Sequence, residues 1–165
     1  MSFFARILTL MTFVAICACS MQHAVMQNSV ADYPYRHYNF DYKVAWKTVA
    51  TDKGILVEGL LKDVRFYFLE NIDLTVRLLD KDDRVKAVGI DYPFPMPMEM
   101  NQSRPFSILL EKRSMAKGDK LQFLILSAVN SGSRARNNWL SEFTVDAATG
   151  KVIGGEKNEN KTPDW

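Results

Sequence analysis

Thiols and imidazoles are almost missing from this chain. Its two cysteines, Cys17 and Cys19, and its two histidines, His23 and His37, all fall in the first forty of 165 residues. From Tyr38 onward there is no thiol nucleophile, no imidazole base and no Cys/His set for zinc. Serine stands in no nucleophile-elbow context, and no carboxylate pair has a recognisable catalytic frame. The residues thus point to no catalytic group and no cofactor. Charge of one sign is missing too. With 21 basic against 19 acidic side chains, the formal net charge is +2, which gives no global drive toward nucleic acid. A second long apolar run is absent after residue 18. With 47% apolar and 12% aromatic residues, the composition is that of a folded domain, not of a disordered chain.

The one long apolar run lies at the start. Arg6 precedes Ile7–Ile16. A run of about ten residues fits the core of a signal peptide (about 7–15) and is too short to span a bilayer (about 20). Ile16-Cys17-Ala18-Cys19 resembles the bacterial lipobox, with Cys17 where Ala, Ser or Thr is usual. That resemblance implies cleavage after Ala18 and a covalent lipid on Cys19 as the only added group. It implies a bacterial cell-envelope lipoprotein held at the membrane by its acyl chains. Ser20, in place of Asp, resembles the outer-membrane sorting signal, which places the domain facing the periplasm. The alternative is an ordinary signal peptide that leaves Cys19 as a free thiol. Residues 1–18 are then the signal peptide, and 19–37 a lipidated N-terminus and flexible tether. Its seventeen residues Ser20–Arg36 would span roughly 20–25 Å.

Period-2 alternation dominates the rest. Phe40, Tyr42, Val44, Trp46 and Thr48 share one face of a first strand. Thr51-Asp52-Lys53-Gly54 turns it into a second, Ile55–Lys62. Ile72, Leu74, Val76 and Leu78 alternate with Asp73, Thr75 and Arg77. Beyond the acidic turn at Asp80–Asp83, Val88, Ile90 and Tyr92 share a face of the next strand. Phe106–Leu110, Leu121–Val129, Trp139–Asp146 and Lys151–Ile153 complete the set. Seven to eight short strands and no helix predict an all-β domain, an immunoglobulin- or fibronectin-like antiparallel β-sandwich over 38–153. Residues 154–165 read as a disordered polar tail, ending in Trp165. That residue is either inert or a docking handle. Val57-Glu58-Gly59-Leu60-Leu61-Lys62-Asp63, followed by Ile72–Asp80, weakly resembles the FxLYD family. Asp63 stands where that family has Asn, and Val76 and Leu79 where it has Phe and Tyr. The resemblance implies a small extracytoplasmic β-sandwich and no reaction.

Four apolar side chains in predicted connections are the candidate partner-binding residues: Tyr67, Leu69, Phe94 and Trp139. If Phe66 and Phe68 turn inward, alternation sends Tyr67 and Leu69 out. The competing reading is that this stretch closes the core. The expected activity is that of a non-catalytic binding or adaptor module for an envelope protein whose identity the residues leave open. Met96, Met98 and Met100 resemble the methionine motifs of periplasmic copper-handling proteins, because soft thioether sulfur suits Cu(I). Extended alternation places their three sulfurs on one side. The same spacing fits an edge segment packing on the core. Asp80, Asp82 and Asp83 lack the Gly and distal Glu of a calcium loop and read as a solvated turn. Arg134 and Arg136 near Trp139 suggest either a basic face or scattered surface charge.

Overall fold

The computed structural model describes residues 29–65, 68–92, 97–130, 137–154 and 165. Two four-stranded antiparallel sheets face each other. The first has the order β1-β2-β3-β6, built from Tyr35–Tyr38, Tyr42–Thr51, Gly54–Asp63 and Ser103–Glu111. The second has the order β5-β4-β7-β8, built from Val85–Asp91, Phe68–Leu79, Lys120–Asn130 and Asn137–Asp146. Leaving β1 aside, the division into β2-β3-β6 and β5-β4-β7-β8 is the Greek-key arrangement of an immunoglobulin- or fibronectin-like sandwich. The predicted fold class therefore holds.

Alternation explains the core. Tyr42, Val44 and Trp46 of β2 point inward, as do Ile55, Val57 and Leu61 of β3 and Phe106, Ile108 and Leu110 of β6. The opposite sheet contributes Ile72, Leu74, Val76 and Leu78 from β4, Leu121, Phe123 and Ile125 from β7, and Phe143 and Val145 from β8. Trp46 lies at the centre, 5.0 Å from the ring of Phe123 and 5.9 Å from that of Phe143. Phe123 and Phe143 stack at 4.7 Å. Such aromatic pairs add specific geometry to a large apolar burial. Gly59 makes room for them. It stands opposite Trp46 on one side and Phe106 on the other. A methyl group there would run into the Phe106 ring and the Ala45 carbonyl.

Three expectations shift. The chain is already ordered before residue 38. Ser29 caps a short 3-10 turn, Val30–Asp32, in a capping box with Asp32, and β1 runs over part of the expected tether. His37 consequently leaves the linker. It is buried and stacks on Phe143 at 4.0 Å. Phe40 drops out of the first strand's apolar face. Asn39 Oδ1 accepts from the Asp41 and Tyr42 amides, an Asx-type turn that leaves Phe40 at its tip, 82% exposed. Val88, Ile90 and Tyr92 do share a face, but it is the solvent face.

Gly59→Ala should destabilise the domain by about 1–3 kcal/mol through overpacking, measured as a lower urea midpoint at unchanged slope.

Candidate functional site

Strand directions put four connections at one end of the sandwich: 39–41, 64–67, 92–102 and 131–136. The other end carries 52–53, 80–84 and 112–119. The two ends differ in chemistry. The first set holds the aromatics Phe40, Phe66, Tyr67, Tyr92 and Phe94, and only five charged residues, Asp41, Arg65, Glu99, Arg134 and Arg136. The second set holds no aromatic, and eleven of its fifteen residues are charged.

At the aromatic end the described side chains form a layered arrangement. Arg65 is its centre, with its side chain only 12% exposed. Its guanidinium lies 4.0 Å from the Trp139 ring centroid and 5.0 Å from that of Phe40. It also pairs with Asp41. Cation–π contacts are strengthened when the cation is withdrawn from water. Trp139 remains 42% exposed, so two aromatic rings are fixed at the surface by one mostly buried cation. Asn39 Nδ2 donates to Ser141 Oγ at 2.6 Å, tying the β1–β2 turn to β8 across the gap between the sheets.

Below this layer sits Asp63, fully buried on the inner face of β3. Its Oδ1 accepts from the Arg65 amide at 2.8 Å, while Oδ2 has no hydrogen-bond partner. Burial raises its pKa to about 6. The Arg65 amide and charge oppose that shift, and Asp41 adds to it. The Asp63 backbone binds the β5–β6 connection in both directions, donating to Gln102 O at 3.1 Å and accepting from Asn101 N at 2.8 Å. Tyr42 seals the same end of the core, its hydroxyl 2.7 Å from Ser127 Oγ. Its pKa is pushed up to about 12, chiefly by burial.

The sequence-chosen residues fare unequally. Trp139 stands exposed in the cluster. Tyr67, Phe94, Met96 and Cys19 lie outside the described residues, although the strand ends flanking 66–67 and 93–96 belong to this end. Leu69 is a correction: it is 1% exposed and presents nothing to a partner. A β-bulge between Glu70 and Asp73, with Asn71 in the left-handed region at φ 49°, lets both Leu69 and Ile72 face the core. Alternation carried straight back from Ile72 gives Leu69 the wrong side. Met98 and Met100 also part. Met98 pairs with Leu69 in an isolated bridge and is fully buried. The turn closed by Gln102 N to Glu99 O, with Asn101 at φ 68°, sends Met100 into solvent. The two sulfurs therefore do not share a side. Among the described residues no three His, Cys, Asp or Glu side chains gather as a metal-holding group. The residues that sequence reasoning missed are Phe40, Arg65 and Asp63. Asn39 before Phe40-Asp41 is the one local signal of a turn that could have exposed Phe40.

No family model matches the chain, and no curated protein matches it. Among solved structures, one similar chain is a beta-glucuronidase from glycoside hydrolase family 2, at 13% identity and a TM-score of 0.33. The match covers 60% of this chain and 11% of that one, so this chain spans about a tenth of that protein's length.

Asp63 and His37 respond to acid in opposite senses. Burial lowers the His37 pKa to about 4, so its neutral form favours folding above the ordinary value of 6.5, and that contribution is lost as pH falls toward 4. The raised pKa of Asp63 gives a contribution present below 3.8 and lost as pH rises through 6. Asp63→Asn should therefore steepen the loss of stability between pH 7 and 4.5, by on the order of 1–2 kcal/mol relative to wild type. His37→Phe should reduce that loss. Urea unfolding at several pH values reads both slopes.

Proposed function

We propose that this chain is a non-catalytic, lipid-anchored envelope module that binds a protein partner through the aromatic end of its sandwich. The observation that carries the reading is the fixed display of Phe40 and Trp139 on either side of Arg65. Exposed aromatics held by packed, desolvated supports are the kind of side chain that dominates protein interfaces. They lose little conformational entropy on binding, because the Arg65 cation already restrains them.

The apolar surface continues from that end. On the outer face of the second sheet, Leu126 pairs across to Leu140, and both are exposed. Val88, Ile90 and Tyr92 extend the same face along β5. Antiparallel sheets usually turn polar residues to water; here two apolar patches, one on β7 and β8 and one on β5, flank the Asp73, Thr75 and Arg77 positions of β4, and exposed apolar patches of this kind favour a protein contact. Tyr67 and Phe94, from connections at the same end, are assigned to this partner surface with Trp139. Leu69 supports it from inside.

Membrane attachment rests on the lipobox-like Ile16–Cys19. The lipid on Cys19 would hold the domain at the outer membrane, facing the periplasm. Cys19→Ala should abolish acyl labelling with a palmitate analogue and move the protein to the soluble fraction. Unchanged labelling would show that Cys19 is not the attachment point.

Phe40→Ser should leave the melting temperature within about 3 °C of wild type, since that side chain is 82% exposed, whereas Trp139→Ser, which removes a half-buried ring from Arg65, should lower it while keeping a cooperative transition. Each should reduce partner recovery at least tenfold in quantitative affinity capture from native envelopes. Full recovery with both variants would remove this end of the sandwich as the contact site.

A further inference from the structure

The outer face of the first sheet carries a second apolar cluster, separate from the main core. Tyr33, from the segment entering β1, packs with Ala45 and Leu60, and all three are buried. Ala45 and Leu60 are paired neighbours on β2 and β3. An outer sheet face ordinarily meets water, yet here even Ala45 is wholly covered. Two more side chains pack on the cluster, Val30 and Trp165. Trp165 thus comes from the far end of the sequence. The rim is charged: Lys47 Nζ lies 5.7 Å from the Tyr33 ring centroid and 3.5 Å from Glu58.

We propose that Tyr33, Ala45 and Leu60 form a binding slot for an indole-bearing peptide segment, filled in this chain by its own Trp165. After Ile153, Trp165 is the only large apolar side chain in the sequence. The intervening Glu156-Lys157-Asn158-Glu159-Asn160-Lys161-Thr162-Pro163-Asp164 is polar but for Pro163. One ring must therefore supply the apolar part of the docking. A single ring binds weakly from solution. The same ring joined to the domain by a short run of chain acts at an effective concentration near the millimolar range. The slot is then filled in cis and open to exchange. Its occupancy also bears on chain entry, because Trp165 and Val30 share the cluster on which Tyr33 is buried. Filling the slot steadies the turn in which the Tyr33 amide donates to Val30 O at 3.2 Å.

The test uses the full chain, its Trp165→Ala and Trp165→Phe variants, and a synthetic peptide of residues 156–165. Trp165→Ala should unfold cooperatively and bind the peptide one to one, with a Kd of about 0.1–1 mM. The native chain should bind it several-fold more weakly, because its own ring competes. A peptide with Ala at the last position should not bind either protein. Amide exchange at Asp32 and Tyr33 should quicken in Trp165→Ala, slow again on peptide addition, and stay near native in Trp165→Phe. Equal peptide binding by native chain and Trp165→Ala would overturn the proposal, as would binding to neither. Loss of a cooperative unfolding transition in Trp165→Ala would also overturn it, because Trp165 would then be part of the fold and not an exchangeable occupant.

Discussion

The sandwich depends on how closely its two sheets meet around Trp46. With no cysteine after Cys19, nothing covalent joins the layers, so the interior does so chiefly by apolar burial, helped by the Asn39–Ser141 and Tyr42–Ser127 hydrogen bonds. The indole occupies the middle of that interior, between Phe123 and Phe143 of the opposite sheet. Its own sheet accommodates it because the neighbouring position on β3 is Gly59, with no side chain to compete for space. Packing of this density tolerates little change of volume. It also fixes the spacing of the layers, and hence the distance across which Asn39 reaches Ser141 and Arg65 reaches Trp139. The geometry of the aromatic end thus follows from a contact deep in the core.

That end is stabilised in an uneven way. Asp63 places a carboxylate where burial disfavours its charge, and only one of its oxygens is hydrogen-bonded. A partly satisfied buried acid costs stability. In return, Oδ1 holds the Arg65 backbone in the orientation that brings the guanidinium under both rings. The Asp63 peptide group meanwhile fixes Asn101 and Gln102 of a second connection. The cost falls on one residue while the order it imposes extends over three connections. His37, on β1 of the same sheet, offsets part of the pH dependence.

Much of this was readable in the residues. Alternation over Phe40–Thr48 and Ile72–Leu78 marked the inward faces, because burial on one face leaves a period of two, while the nearly continuous apolar run Leu121–Val129 marked a central strand. The turn signal at Thr51-Asp52-Lys53-Gly54 marked the β2–β3 hairpin end. The reading failed where the period slips by one residue. Asn71 and Asn101 each adopt a left-handed conformation that resets the alternation, and on those two residues hang the burial of Leu69 and the separation of Met98 from Met100. Both are asparagines, a residue type that tolerates this conformation, so the signal existed but did not say which neighbour would flip. Arg65 and Asp63 were less accessible still. Their roles come from long-range neighbours, Trp139 and Asn101, that no local pattern brings together.

The two outer faces differ in what covers them. A sheet's outer apolar side chains must be covered by the chain itself or left for another molecule. On the first sheet, Ala45 and Leu60 lie beneath Tyr33, Val30 and Trp165, so both ends of the described chain are spent on covering it. On the second sheet, Leu126, Leu140, Val88, Ile90 and Tyr92 remain in solvent, and they adjoin the end where Phe40 and Trp139 are displayed. The last part of β8 is closed to edge pairing, because Ile153 N already donates to Thr144 O and Val152 bridges Val145. Side chains, not backbone, are what this surface offers. A partner seated there would bury rings and branched aliphatics against a rigid sheet, and its selectivity would come from matching the shape of that sheet and the Arg65-held aromatics at its end.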